Sequence, residues 1–207
     1  MDVYVESNFV IEVALLQEQH ESCENIIKFC ESGQANLILP IYSLVEPYGT
    51  LIRYAKNRTR LSNDLATEVK QLSRSKPYQE EIEALQKVTG FLIRSQEEER
   101  ERLRSTIDRL LKVAEVIPLD SQILTSAIKY QDDHDLSPPD SIAYASVLNH
   151  LSRSVSTSKC FLNRNSKDFD DPDIEEALNG YGCKMLFSFD QGYGYISSQI
   201  SSPNSSA

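Results

Sequence analysis

Short apolar runs alternate with amphipathic segments at both ends of the chain. The apolar runs are continuous, and they predict β-strands buried on both faces at residues 3–5, 37–40, 116–119, 159–162 and 184–187. The amphipathic segments predict helices at residues 8–31, 43–54, 121–134, 139–151 and 172–181. Because strands and helices alternate, the pattern predicts a three-layer α/β/α sandwich with a central parallel sheet of about five strands.

The middle of the chain has a different pattern, which is almost purely helical. Proline is rare there, and apolar residues such as Ile107 and Leu110 recur every three or four positions. This pattern predicts a long helical insertion at about residues 56–114, within one domain that spans residues 1–192. The Ser-rich residues 197–207 are predicted to form a disordered tail.

Charge is distributed unevenly along the chain. The sequence has 21 Lys and Arg residues against 31 Asp and Glu residues, a net charge of −10. Residues 51–115 contain 14 basic and 11 acidic side chains, so this segment carries +3 and the remainder −13. A chain this acidic is not expected to coat nucleic acid non-specifically, because that function needs a basic surface. No apolar run approaches about 18 residues and no signal peptide is visible, so we expect a cytoplasmic protein without membrane contact.

Four acidic residues fall near the ends of predicted strands or at the start of a helix. Glu6 directly follows the first strand, and Glu46 lies in the helix after the second. Asp140 opens the helix that begins after Ser137, and Asp168 follows the fourth strand. Because the ligand crevice of a doubly wound fold lies outside the carboxyl ends of its strands, these acids are expected to meet at one sheet edge.

Four clustered carboxylates repel each other unless a cation neutralises them. Carboxylate oxygens without thiolate or imidazole ligands suit Mg²⁺ or Mn²⁺, and a metal held in this way activates water for phosphodiester hydrolysis. Taken alone, Glu6 and Asp168 are also typical of surface acids, and Asp140 of a helix-start acid. Glu46 lies in an apolar stretch, where a buried carboxylate needs a partner. The metal-site hypothesis therefore depends on the joint placement of the four acids.

The order of these acids and their neighbours resembles the PIN domain family of metal-dependent ribonucleases, which includes the VapC-type toxins. The matching stretches are VYVESN at residues 3–8, LPIYSLVE at 39–46, PPDSIAYA at 138–145 and FLNRNSKDF at 161–169. In the family, a strand ends in Asp followed by Ser or Thr and Asn. A Glu lies in the second helix, an Asp opens a later helix, and a polar turn ends in Asp-Phe. The resemblance covers roughly residues 1–54 and 116–189.

The resemblance implies an endoribonuclease that hydrolyses RNA phosphodiester bonds with Mg²⁺ or Mn²⁺ as cofactor. All four acids are then catalytic. Glu6 and Asp140 resemble the principal metal ligands. Glu46 and Asp168 resemble the remaining acids, which ligate the metal directly or through water and orient the attacking water, and Asp168 is counted among the metal ligands. Three polar residues resemble supports of the carboxylates: Ser7, Asn8 and Asn165. The implied partners are an RNA substrate, an antitoxin protein if the chain is the toxin of a toxin–antitoxin pair, and a second copy of the chain in a homodimer.

One position departs from the family pattern, because Glu6 stands where the family normally has Asp. The extra methylene moves the carboxylate by more than ~1 Å, and a misplacement of that size can lower a rate by ~10²-fold. The alternative function is therefore a catalytically impaired PIN-like module that acts as an RNA- or protein-binding domain. A phosphatase-like doubly wound enzyme is a weaker alternative, because Glu6 matches its Asp nucleophile poorly.

Four basic residues lie within eight positions of the central segment: Arg53, Lys56, Arg58 and Arg60. One hypothesis is that they hold the RNA backbone beside the acidic cleft through phosphate contacts. The other is that they form an ordinary solvated helix face. The sequence leaves both hypotheses open.

Overall fold

The computed structural model describes residues 1–201, without the side chains of residues 79 and 80. Within this range, five parallel strands form one sheet: β1 (Asp2–Val5), β2 (Asn36–Pro40), β3 (Glu115–Ile117), β4 (Lys159–Leu162) and β5 (Cys183–Leu186). Their spatial order is β3-β2-β1-β4-β5, so the first strand of the chain is the central strand of the sheet. The predicted five-stranded parallel sheet is confirmed.

Helices cover both faces of the sheet. Their bounds are α1 (Ser7–Leu15), α2 (His20–Glu31), α3 (Ile41–Leu72), α4 (Gln79–Val113), α5 (Ser121–His134), α6 (Pro138–Leu151), α7 (Ser166–Phe169), α8 (Pro172–Gly180) and α9 (Phe189–Ser201), with a short 3-10 helix at Lys76–Tyr78. No helix within residues 1–201 is both long and apolar enough to cross a membrane.

The sheet separates two apolar cores. Val3 and Val5 of β1 belong to the core formed with α1, α2, α4 and α9, whereas Tyr4 belongs to the core formed with α5, α6 and α8. All three side chains are fully buried, because successive residues of a strand point to opposite faces of the sheet. The continuous apolar runs of the sequence thus correspond to strands covered on both sides, and the predicted three-layer sandwich is confirmed.

Helices α3 and α4 pack against each other as an antiparallel hairpin. The Arg58 guanidinium of α3 donates two hydrogen bonds, of 2.6 and 2.9 Å, to the Glu99 carboxylate of α4. Toward its C-terminal end, α4 buries Leu103 and Leu110 in the same core as β1. Part of the segment predicted as an insertion, about residues 56–114, is therefore built into the main core of the domain.

The predicted helix at residues 43–54 is part of the longer α3 (Ile41–Leu72), and two other element boundaries differ from the sequence pattern for local reasons. The predicted helix at residues 8–31 is divided into α1 and α2, because Leu16 takes a left-handed conformation with a φ of 53° directly after α1. Strand β3 ends at Ile117, before Pro118, because proline has no N–H to donate to a neighbouring strand.

The final helix, α9, is not predicted by the sequence pattern, since Gly192 and Gly194 lower its helix propensity. A Cβ atom at Gly192 would come within 2.8 Å of the Leu162 side chain, so glycine lets α9 approach β4 closely. The helix extends past the predicted domain end at residue 192 and includes residues 197–201 of the predicted tail. The rest of that tail, residues 202–207, lies outside the described residues.

Candidate functional site

The carboxyl ends of β1 and β2 bring the first two predicted acids into one network. Glu6 directly follows β1 and caps α1, since its Oε2 accepts a 2.8 Å hydrogen bond from the backbone N–H of Asn8. Glu46 lies in the second turn of α3, which follows β2. The Ser7 hydroxyl donates a hydrogen bond to Glu46 Oε2, so the residue next to Glu6 fixes the second carboxylate.

The other two predicted acids are joined by Asn165. Asp140 lies in the first turn of α6, where the Ser137 hydroxyl caps the helix by accepting the Asp140 backbone N–H at 3.4 Å. Asn165 Nδ2 donates to Asp168 Oδ2 at 2.6 Å and to Asp140 Oδ2 at 3.3 Å. A single amide group therefore holds two carboxylates side by side, from segments that are separate along the chain.

Buried side chains fix the position of Asn165 and Asp168. Asn163, which is fully buried after β4, accepts the Asn165 backbone N–H through its Oδ1 at 2.7 Å. Phe169, at the end of the four-residue helix α7, is fully buried, with its ring centroid 5.9 Å from that of Phe161. The Asn163 side chain and the Phe169 ring thus both help to hold the turn from β4 to α7.

Glu6 lies in an environment that disfavours its charge. Its side chain is buried, and burial together with the negative charges of Asp140 and Glu46 raises the pKa of Glu6 to about 8, although the Asn8 N–H lowers it. Glu6 Oε1 is buried without a hydrogen-bond partner among the described residues. Glu6 is therefore close enough to Asp140 and Glu46 for their charges to repel, and one of its buried oxygens has no partner among the described residues.

The donor set fits a hard divalent cation. Among the described residues, no group of three or more His, Cys, Asp or Glu side chains is arranged to hold a metal ion. However, the unpartnered oxygen of Glu6 is a carboxylate oxygen, and the groups that raise its pKa are also carboxylates. Mg²⁺ and Mn²⁺ prefer such oxygens, and a cation held by Glu6 and Asp140 would remove their mutual repulsion.

An ion pair that was not predicted from the sequence lies beside these acids. Glu12 of α1, which is 1% exposed, accepts hydrogen bonds from Arg164 and from the Gln19 backbone N–H. Arg164 lies between Asn163 and Asn165, so the pair ties α1 to the turn that carries Asn165. Glu12 could have been recognised by the argument used for Glu46, because an acid within an apolar helix stretch needs a buried partner.

A polar cleft of about 490 Å³ lies next to this ion pair. It is lined by Asn8, Glu12, Gln17, Glu18, Arg164 and Asn165. Two of these residues, Asn8 and Asn165, also contact the acids, so the cleft adjoins the carboxylate network.

The four basic residues predicted to contact RNA do not share one environment. Arg53, Lys56 and Arg60 are exposed on α3. Arg58 faces α4, where its guanidinium is bound to Glu99, and only 26% of its side chain is exposed. The structure therefore separates Arg58 from the other three.

The comparisons with known proteins give one positive result. A family model described as PIN domain matches residues 3–169, which is most of the chain and includes all four predicted acids. Neither the curated proteins nor the solved structures contain a match to this chain.

Proposed function

The chain belongs to the PIN domain family, and on this premise we propose that it is an endoribonuclease that hydrolyses RNA phosphodiester bonds with Mg²⁺ or Mn²⁺. PIN domains have nuclease-type functions and generally depend on a divalent metal. One observation carries the proposal. Acids from four separate segments lie at the carboxyl edge of the sheet, where Ser7, next to Glu6, donates to Glu46 and Asn165 donates to both Asp140 and Asp168.

Each side chain of the network would have a defined role. Glu6, Asp140 and Asp168 would hold the divalent cation. When it is bound, the cation activates water and neutralises negative charge on the phosphate. Asn165 keeps the carboxylates of Asp140 and Asp168 together before the cation binds. Glu46, fixed by the Ser7 hydroxyl, would orient the attacking water.

Cleavage of an end-labelled single-stranded RNA tests this proposal. We expect cleavage with Mg²⁺ or Mn²⁺ and none in EDTA, and we expect Asp140→Asn to lower the rate by ~10²-fold or more, because it removes a charge from the site. Asp132→Asn is the matched control, since it removes an exposed carboxylate of α5 outside the network. Cleavage that persists at full rate in Asp140→Asn would contradict the assignment of the site.

The second candidate function is a catalytically impaired module that binds RNA or protein. It is favoured by the presence of Glu6 where the family normally has Asp, and by the use of one Glu6 oxygen to cap α1. Comparing the natural chain with Glu6→Asp separates the two functions. Cleavage by the natural chain supports the nuclease, whereas no cleavage by either protein, with RNA binding retained, supports the binding module.

The proposal extends to a toxin role and to protein partners. As the toxin of a toxin–antitoxin pair, the chain would arrest growth when its expression is induced, and Asp140→Asn would abolish the arrest. An antitoxin partner would relieve the arrest when it is expressed with the natural chain. Light scattering on the purified protein tests for a homodimer.

A further inference from the structure

A row of exposed basic side chains shares one face of α3 with Glu46. At about 100° per residue, three basic residues lie within about 80° of Glu46 around the helix axis: Arg53, Lys56 and Arg60. All three are exposed, and none forms an ion pair with another described residue. These three residues form the basic row of α3. Their positive charges are therefore available to a ligand that also reaches Glu46.

Arg58 is not part of the basic row. It lies about 120° from Glu46 around the helix, on the face that packs against α4. Its charge is neutralised there by Glu99, with hydrogen bonds of 2.6 and 2.9 Å. The cluster of four basic residues in the sequence thus contains one structural contact of the hairpin and three charges that form no ion pair within the described residues.

The basic row leads away from the acids in one direction. With a rise of about 1.5 Å per residue, Arg53, Lys56 and Arg60 lie about 10, 15 and 21 Å from Glu46 along α3. Between Glu46 and Arg53 the same face carries Gly49, where an added Cβ atom would meet nothing within 4 Å. The surface at Gly49, between the acids and the basic row, is therefore unobstructed.

An exposed apolar stripe runs beside the basic row. Its members recur every three or four residues along α3: Ile41, Val45, Tyr48 and Ile52. Ile52 is 68% exposed, and it lines a cleft of about 300 Å³ together with Tyr48 and with Arg100 and Arg104 of α4. A row of positive charges beside apolar and aromatic side chains is the arrangement that binds single-stranded nucleic acid, since the charges contact the backbone and the bases stack on the apolar surface.

We propose that α3 binds single-stranded RNA, with the backbone on the basic row and the bases on the apolar stripe, on one side of the phosphate that is cut. The inference rests on the proposed function, because it places the cut phosphate at the acids. Three charges in a single line match one phosphate backbone, and the apolar stripe beside them offers a surface on which unpaired bases can stack. The substrate is therefore a single strand that extends about 20 Å from the cut in one direction only.

RNA affinity measured against salt in EDTA tests the proposal without cleavage. We compare the natural chain with a triple variant of the basic row, Arg53→Gln, Lys56→Gln and Arg60→Gln. The slope of log affinity against log salt is expected to become shallower by about 2, because each phosphate contact with a single strand contributes about 0.7. Tyr48→Ala is expected to weaken binding about 5-fold or more at every salt concentration without changing this slope, since base stacking does not involve counterions.

The matched control removes the same charge elsewhere on the hairpin. Lys70→Gln, Lys87→Gln and Arg94→Gln neutralise three exposed basic residues outside the basic row and should leave the slope unchanged. Shortening the RNA on one side of the cut should weaken binding, whereas shortening it on the other side should not. An unchanged slope in the basic-row variant, or equal changes in both triple variants, overturns the proposal.

The outcome also separates this inference from the proposed function. A natural chain that cuts no RNA, but whose salt slope falls in the basic-row variant, supports the RNA surface and contradicts the hydrolysis. A basic-row variant that binds and cuts RNA like the natural chain but loses a protein partner overturns the proposal, because the face would then be a protein-binding surface.

Discussion

Glu6 should make the metal-free protein less stable as pH rises. Its pKa is raised to about 8 in the folded protein from the ordinary value of 4.5, because the carboxyl is buried close to Asp140 and Glu46. Between these two values the folded protein holds a proton that the unfolded chain has released. The free energy of unfolding therefore falls as pH increases, by about 1.4 kcal/mol per pH unit from about pH 5 to pH 8.

Denaturant unfolding in EDTA at several pH values in this window measures the effect. Glu6→Gln keeps the size of the side chain but cannot ionise, so it should be more stable than the natural chain near pH 8 and should show a flatter pH profile. Glu21→Gln, which changes an exposed acid of α2, should follow the natural chain. Parallel profiles for the natural chain and Glu6→Gln would refute the reasoning, because Glu6 would then not be the group that titrates.

Three further predictions follow from contacts of the site and the hairpin. Asn165→Ala should lower the rate of RNA cleavage by about 10–100-fold, because Asp140 and Asp168 lose their shared hydrogen-bond donor. The circular dichroism spectrum should stay the same, and an unchanged cleavage rate would contradict this role of Asn165. Glu12→Ala should lower the free energy of unfolding by about 1–3 kcal/mol in denaturant titrations, because Arg164 and the Gln19 N–H lose their buried acceptor and Arg164 keeps only the exposed Glu18 as an ion-pair partner; a loss within error of zero would contradict it. Arg58→Gln should destabilise the protein by about 1–3 kcal/mol without changing the salt dependence of RNA binding, and a shallower slope would place Arg58 in the RNA surface.

The fold could be predicted from the sequence because its signals are local. Each strand is a short apolar run covered on both faces, and the predicted strand at residues 159–162 agrees with β4 at both ends. The pattern failed where a local preference was overridden. Gly192 predicts no helix, yet α9 forms there because the missing side chain lets it pack against Leu162.

The site was predictable only to the extent that it depends on topology. Glu6 directly follows β1 and Asp168 lies in the short helix after β4, so a parallel sheet brings them to the same edge wherever they lie along the chain. Pairs of side chains that depend on three-dimensional packing could not be found in this way. Glu12 and Arg164 are 152 residues apart, and no periodic pattern relates them.

The central position of β1 has a consequence for the order in which the protein assembles. β1 pairs with β2 early in the sequence, but its other neighbour is β4, which begins at Lys159. During synthesis from the N-terminus, β1 can therefore form its second strand pair only after most of the chain has been made. Long-range strand pairing of this kind is slow. Asp168 follows β4, so the acids gather only after this last pairing around β1. A nascent or truncated chain thus carries Glu6 and Glu46 without the completed site, and any nuclease activity begins only once the sheet has closed around its first strand.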